Sequence, residues 1–240
     1  MVILILGGTG EARRLAARLP GEVVSSLAGR VTDPRLPEGE VRIGGFGGVD
    51  GLAEWLRAND ITAVVDATHP FAAGITANAV AATARVGVPL LVLRRPGWTP
   101  EPGDDWRWVD SLAEAAAALP GDRVFLTTGR QDIGVFAGCP QYFLARSVEP
   151  PEPPLPQRLH VLLDRGPFTV DGEVALMREH AVDVLVTKDS GGDQTSAKLV
   201  AARRLGLPVV VVRRPPAPAA PTVETVDAAV DWIRRGSGVA

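Results

Sequence analysis

The chain has 240 residues, 46% apolar and 22% charged, with a formal net charge of −3, which suits one large or two small α/β domains and excludes a disordered chain. The slight acidity gives no support for nucleic-acid binding, and the single Cys139 excludes an internal disulfide or a cysteine-based metal site. His69, His160 and His180 lack metal-ligand spacing, no apolar run approaches the roughly 18 residues of a membrane span, and Met1 leads straight into a strand; the expectation is a cytoplasmic protein with no metal, membrane or nucleic-acid partner, its oligomeric state open and compatible with a monomer.

The chain opens with the apolar run Val2–Leu6, then Gly7-Gly8-Thr9-Gly10-Glu11-Ala12, then a helical pattern through Leu19. A strand, a glycine turn and a helix start suit a phosphate, because glycine lets backbone approach the anion and the first helical N–H groups point at it. As G-x-G-x-x-G the match is partial: Arg13 stands where the third glycine would be, and a tight βα connection explains the turn equally well. The next strand, Glu22–Leu27, ends in Ser25-Ser26-Leu27-Ala28-Gly29-Arg30 with no acid to hold a ribose 2′-hydroxyl. Hydroxyls and Arg30 suit a 2′-phosphate; the alternative is a solvated loop arginine. After the short run Val41-Arg42-Ile43, the loop Gly44-Gly45-Phe46-Gly47-Gly48 serves either close backbone approach or a simple turn.

Ala63–Asp66 reads as a strand ending in Asp66-Ala67-Thr68-His69-Pro70-Phe71, where Pro70 restrains His69 to an extended conformation. His69 is read as a positioning group, with proton donation as the alternative. Helices are expected over 72–86 and 195–205, and further strands at Leu90–Leu93, Val124–Thr127, Tyr142–Ala145, Val161–Leu163, Val184–Thr187 and Val209–Val212. Uninterrupted Val/Ile/Leu runs alternating with helices predict α/β architecture with parallel sheets. The loops Thr127-Thr128-Gly129-Arg130 and Thr187-Lys188-Asp189-Ser190-Gly191-Gly192 join cations, hydroxyls and glycine N–H groups, which suits carboxylate or phosphate. Glu149–Pro154 reads as a stiff loop within the second half.

Thr68–Pro96 can be laid on Thr187–Pro215 without a gap, bringing Gly87-Val88-Pro89 onto Gly206-Leu207-Pro208 and Arg94-Arg95-Pro96 onto Arg213-Arg214-Pro215. Each copy is followed by a similar closing segment, Val109–Leu112 and Val223–Val226, opening a helix with a Ser or Thr cap. The expectation is two similar Rossmann-like halves divided near Pro120-Gly121, residues 1–119 binding a dinucleotide and 120–240 the other ligand; a closing helix that packs on the opposite half remains open. Absences narrow the chemistry further. Tyr142 has no lysine four residues on, and there is neither a Gly-x-Ser-x-Gly elbow nor a P-loop lysine.

Together the opening Ile-Leu-Gly-Gly-Thr-Gly-Glu-Ala, the Gly-Gly-Phe-Gly-Gly loop, Asp66–Phe71, Thr128-Gly129-Arg130 and Thr187-Lys188-Asp189-Ser190-Gly191 resemble the precorrin-6A reductase family over nearly the whole chain. The resemblance implies an oxidoreductase of cobalamin biosynthesis that reduces a macrocycle double bond with NADPH to give precorrin-6B. It also implies an active site between two Rossmann-like halves and a substrate rich in acetate and propionate carboxylates. Gly8, Thr9, Gly10 and Glu11 are then expected at or near the cofactor phosphates, Ser26 and Arg30 at the 2′-phosphate, and Thr68 and His69 near the nicotinamide. Arg130, Lys188, Ser190 and Gly191 are expected to face substrate carboxylates. Two alternatives stay open: a cobalt-precorrin-6A reductase using NADH, and a non-catalytic sensor of a dinucleotide or tetrapyrrole.

Overall fold

The computed structural model describes residues 1–19, 21–29 and 36–236, the side chain of Gln194 excepted. Its apolar runs become strands with both faces covered. In β1 (Val2–Leu6), Ile3 and Ile5 join one core cluster with α1 (Gly10–Ala16) and α7 (Val226–Gly236), while Leu4 and Leu6 join another with α2 (Gly48–Ala58) and α3 (Ala73–Val86). That alternation is the two-residue period of a strand read by helices on both sides.

The chain forms two compact units, Met1–Pro96 with the segment from Pro215 onward, and Gly97–Arg214. The first unit's sheet adds β2 (Glu22–Leu27), β3 (Glu40–Ile43), β4 (Ile61–Asp66), β5 (Leu90–Leu93) and β12 (Thr222–Val223), in the order β12-β5-β4-β1-β2-β3. The second contains β6 (Asp105–Val109), β7 (Arg123–Leu126), β8 (Tyr142–Ser147), β9 (Leu159–Leu163), β10 (Val184–Lys188) and β11 (Pro208–Val212), in the order β6-β11-β10-β7-β8-β9. Every described pairing is parallel. Both sheets are therefore doubly wound, with the order reversing between β1 and β4 in one and between β7 and β10 in the other. In the second unit α5 (Val170–Glu179) and α6 (Ala197–Leu205) pack together, and α4 (Leu112–Ala117) contacts the 3₁₀ helix Arg130–Phe136.

The repeat is real, with two corrections. First, the sixth strand of each sheet comes from the other copy's closing segment: β6, which follows β5 in sequence, pairs with β11, and β12, which follows β11, pairs with β5. The same bond fastens each, Arg94 N–H to Val223 O and Arg213 N–H to Val109 O, both 2.8 Å. The compact units thus divide at 96/97 and 214/215 rather than near residue 120, and the closing helices α4 and α7 go with their strands. The physical reason is that Arg-Arg-Pro carries the chain off each fifth strand, so the closing strand extends the opposite sheet. Second, the gapless superposition slips by two residues at the strand ends: Asp66 pairs with Val92 where Thr187 pairs with Val211. Downstream the match holds, since Gly87 and Gly206 both end their helices left-handed, at φ 75° and 65°.

Candidate functional site

In a doubly wound sheet ligands gather beyond the carboxyl ends of the strands at the reversal of strand order. In the first unit that place is built by the β1–α1 turn, the end of β2 and the β4–α3 loop. Gly8 takes φ 110°, and a Cβ there would meet nothing within 4 Å, so the turn is both glycine-dependent and open above. Thr9 is 8% exposed and its hydroxyl is occupied on both sides: it caps α1 by accepting from Ala12 N–H (3.1 Å) and donates to Ala67 O (2.7 Å). Thr9 therefore fastens the glycine turn to the β4 loop. Glu11 opens α1 and bonds Arg14 at 3.0 Å and Arg95 at 2.9 Å. Burial alone would raise its carboxyl, but its own backbone N–H with Arg95 and Arg14 outweighs this and holds it below the usual carboxylate range.

Ser26 lies beside the turn, its carbonyl accepting from Gly7 N–H at 2.9 Å, and Ser25 Oγ is buried without a protein partner. Arg30 falls outside the described residues. The basic group the structure brings to Ser26 is Arg42, at 3.4 Å from its Oγ; it also donates to Gly44 O (2.5 Å) and Gly45 O (2.6 Å) and stacks 3.7 Å over Phe46. Sequence reading passed over Arg42, although it sits in the short run before the glycine loop. That loop's compactness depends on Gly51, where a Cβ would land on the carbonyl oxygen of Phe46.

At the end of β4, Asp66 is 1% exposed and accepts from Thr68 N–H (3.0 Å), Thr68 Oγ1 (2.7 Å) and Thr76 Oγ1 (2.5 Å), which shapes the loop. His69 Nδ1 accepts from Phe71 N–H at 3.2 Å, so a neutral His69 carries its proton on Nε2. Thr68 and His69 line a cavity of about 420 Å³ with Asp66, Thr76 and Arg94, walled otherwise by valine, leucine, alanine and proline.

In the second unit Arg130 follows β7 and Lys188 ends β10, so the residues expected to meet anions do share one carboxyl edge. Each cation also has an acid: Arg130 meets Glu149 at 3.0 Å and Lys188 pairs with Asp132. Asp189, 7% exposed, accepts from Trp98 N–H (2.9 Å) and Arg214 Nε (3.0 Å). Lys198 is 5% exposed and donates to Thr195 O at 2.7 Å; burial, then repulsion from Arg146, lowers its pKa to about 7 against the attraction of Glu173. Arg146 and Glu173 are themselves paired at 2.6 Å. No group of three or more metal-ligating side chains occurs among the described residues, and no helix among them is long and apolar enough to cross a membrane.

Known proteins match the chain over nearly its whole length. The family model described as "Precorrin-6x reductase CbiJ/CobK" matches residues 2–234. A precorrin-6A reductase of Rhodococcus erythropolis is 60% identical over 239 residues, covering 96% of each chain. The solved structure titled "CobK precorrin-6A reductase" superposes with a TM-score of 0.93 at 45% identity, covering 98% of this chain and 97% of that one. A cobalt-precorrin-6A reductase of Priestia megaterium is 30% identical, covering 89% of this chain and 91% of its own.

Proposed function

We propose, from the premise that the chain belongs to the precorrin-6x reductase CbiJ/CobK family, that NADPH is its reductant and that the first unit holds it. The chain is an oxidoreductase that reduces precorrin-6A with a nicotinamide dinucleotide. One observation carries the choice of unit and cofactor. The glycine turn opens over the reversal of a doubly wound sheet whose second strand ends in Ser25-Ser26-Leu27-Ala28-Gly29, with no acid to repel a 2′-phosphate.

These residues fit the group. Gly8 and Gly10 would let backbone approach the phosphates, Thr9 would keep the turn in place, and Glu11 would set Arg14 and Arg95 beside it. Ser26 would meet the 2′-phosphate, with Arg42 as the basic neighbour the structure supplies and Arg30 as the one expected from sequence. Thr68 and His69 would lie at the nicotinamide end, beside a cavity with room for such a ring. The bound nicotinamide supplies a hydride to the substrate macrocycle. The protein orients the partners, and His69 holds a proton on Nε2 while positioning them. In the second unit Arg130, Lys188, Ser190 and Gly191 would meet substrate carboxylates, Arg130 and Lys188 with their charge partly balanced by Glu149 and Asp132.

The test is turnover with isotope. Purified protein, precorrin-6A and C4-deuterated NADPH should give a product two hydrogens heavier, with deuterium at one ring carbon, and His69→Ala should slow but not abolish it. Equal efficiency with NADH would overturn the cofactor choice, and absence of label in any precorrin, with or without cobalt, would overturn the reductase assignment.

A further inference from the structure

The loop from Lys188 to Thr195 is held by its carbonyl groups. Lys188 O accepts from Ser190 N–H (2.7 Å), Asp189 O from Arg214 Nη2 (3.0 Å), Gly192 O from Trp98 Nε1 (3.0 Å), Asp193 O from Ser196 Oγ (2.8 Å) and Thr195 O from Lys198 Nζ (2.7 Å). With these carbonyls bound by protein donors, and with Gly191 and Gly192 at φ 66° and 76°, the loop is fixed in one form. Trp98 supplies one of these bonds and makes two further contacts beside it. Its backbone N–H bonds Asp189 Oδ1, its indole N–H bonds Gly192 O, and its ring lies 4.9 Å from Lys198 Nζ. Beside it, Gly97 leaves room for the Asp189 carboxylate, since a Cβ there would stand 2.6 Å from Oδ2 and 3.1 Å from Oδ1.

We propose that Trp98 is a positioning residue for the reduction: acting through Asp189 and Gly192, it holds the Lys188–Thr195 loop in the form that receives carboxylates of the macrocyclic substrate. This rests on the reading that the loop faces substrate. No part of Trp98 need touch the ring, and nothing in it reacts. A loop so held is paid for in folding rather than at binding, so loosening it weakens substrate affinity and leaves the chemical step alone.

Three variants of the full chain test this with precorrin-6A and NADPH. Trp98→Phe removes the indole donor while keeping the backbone N–H on Asp189 and a ring beside Lys198; Gly97→Ala displaces the Asp189 carboxylate without changing any charged or aromatic residue. Each should raise the substrate KM about threefold to tenfold, the scale of one hydrogen bond, with kcat within about twofold and NADPH affinity unchanged. A KM unchanged in both variants, or an equal fall in kcat and nucleotide affinity, overturns the proposal; if Trp98→Phe does not fold, the same split in Gly97→Ala decides. Lys188→Ala separates the two levels. If it raises KM while the other two do not, Trp98 loses its role and the loop keeps its own; if it leaves KM unchanged, the loop does not hold substrate and the proposal falls with that reading.

Discussion

Replacing Lys198 with methionine should remove a loss of stability that the wild type suffers as pH falls from alkaline toward neutral values. In the fold this lysine titrates near 7, against 10.5 for a free lysine, because burial and Arg146 disfavour its charge more than Glu173 favours it. Above pH 10.5 both folded and unfolded chains hold the amine neutral and there is no penalty. As pH falls toward 7 the unfolded chain takes up the proton and the folded chain does not, so the wild type loses stability. Below 7 both bind it and the penalty is constant. At about 1.36 kcal/mol per pH unit the whole interval is worth about 5 kcal/mol, of which about 3 kcal/mol falls between pH 9.5 and 7. Methionine has no such term but leaves Thr195 O without its donor, a cost of about 1–3 kcal/mol at every pH. Urea unfolding of both proteins from pH 6 to 9.5 should therefore show the variant weaker at the alkaline end and gaining on the wild type as pH falls, with the difference levelling below 7. A difference independent of pH across that range would show that Lys198 is not held neutral and would refute the reasoning.

Gly51→Ala must move the Phe46 carbonyl, a backbone atom, and should cost about 2–3 kcal/mol or more in thermal unfolding, whereas Gly74→Ala in α3, with nothing within 4 Å of its Cβ, should be neutral or gain up to about 1 kcal/mol. Thr9→Val removes both the α1 cap and the bond to Ala67, and should lower stability by about 1–3 kcal/mol with Thr9→Ser restoring most of it; equal stability of the valine and serine variants in urea would count against the fastening role.

The strands buried on both faces were legible because β1, β5 and β11 are unbroken apolar runs, and that pattern has few other meanings in an alternating chain. The edge strand β6, Asp-Trp-Arg-Trp-Val, alternates polar with aromatic residues and does not look like its buried neighbours, while β12 has only two residues. The reciprocal exchange of these two strands left no local trace: pairing of β12 with β5 is a relation between residues 130 apart, as Thr222 with Val92. The same limit governs the site. Glycine turns and loop chemistry are local and could be read, but the acids beside Arg130 and Lys188, the Arg42 fork on Gly44 and Gly45, and the Trp98–Asp189 bond depend on where the fold brings the partners.

The exchanged closing strands also set an order of assembly. On the ribosome the N-terminal sheet begins first, yet its β5 edge and the α1 face of its core wait for β12 and for Ala229, Val230 and Ile233 of α7, which emerge only after all of Gly97–Arg214 has been made. The unit begun first is the last to be completed, while the inserted one finds its own edge strand, β6, already synthesised before the rest of its sheet. For the duration of translation the open edge of β5 is an invitation to pair with another chain. A released chain truncated between Arg214 and Thr222 should consequently be prone to aggregation through that edge, although its inserted unit has every strand it needs.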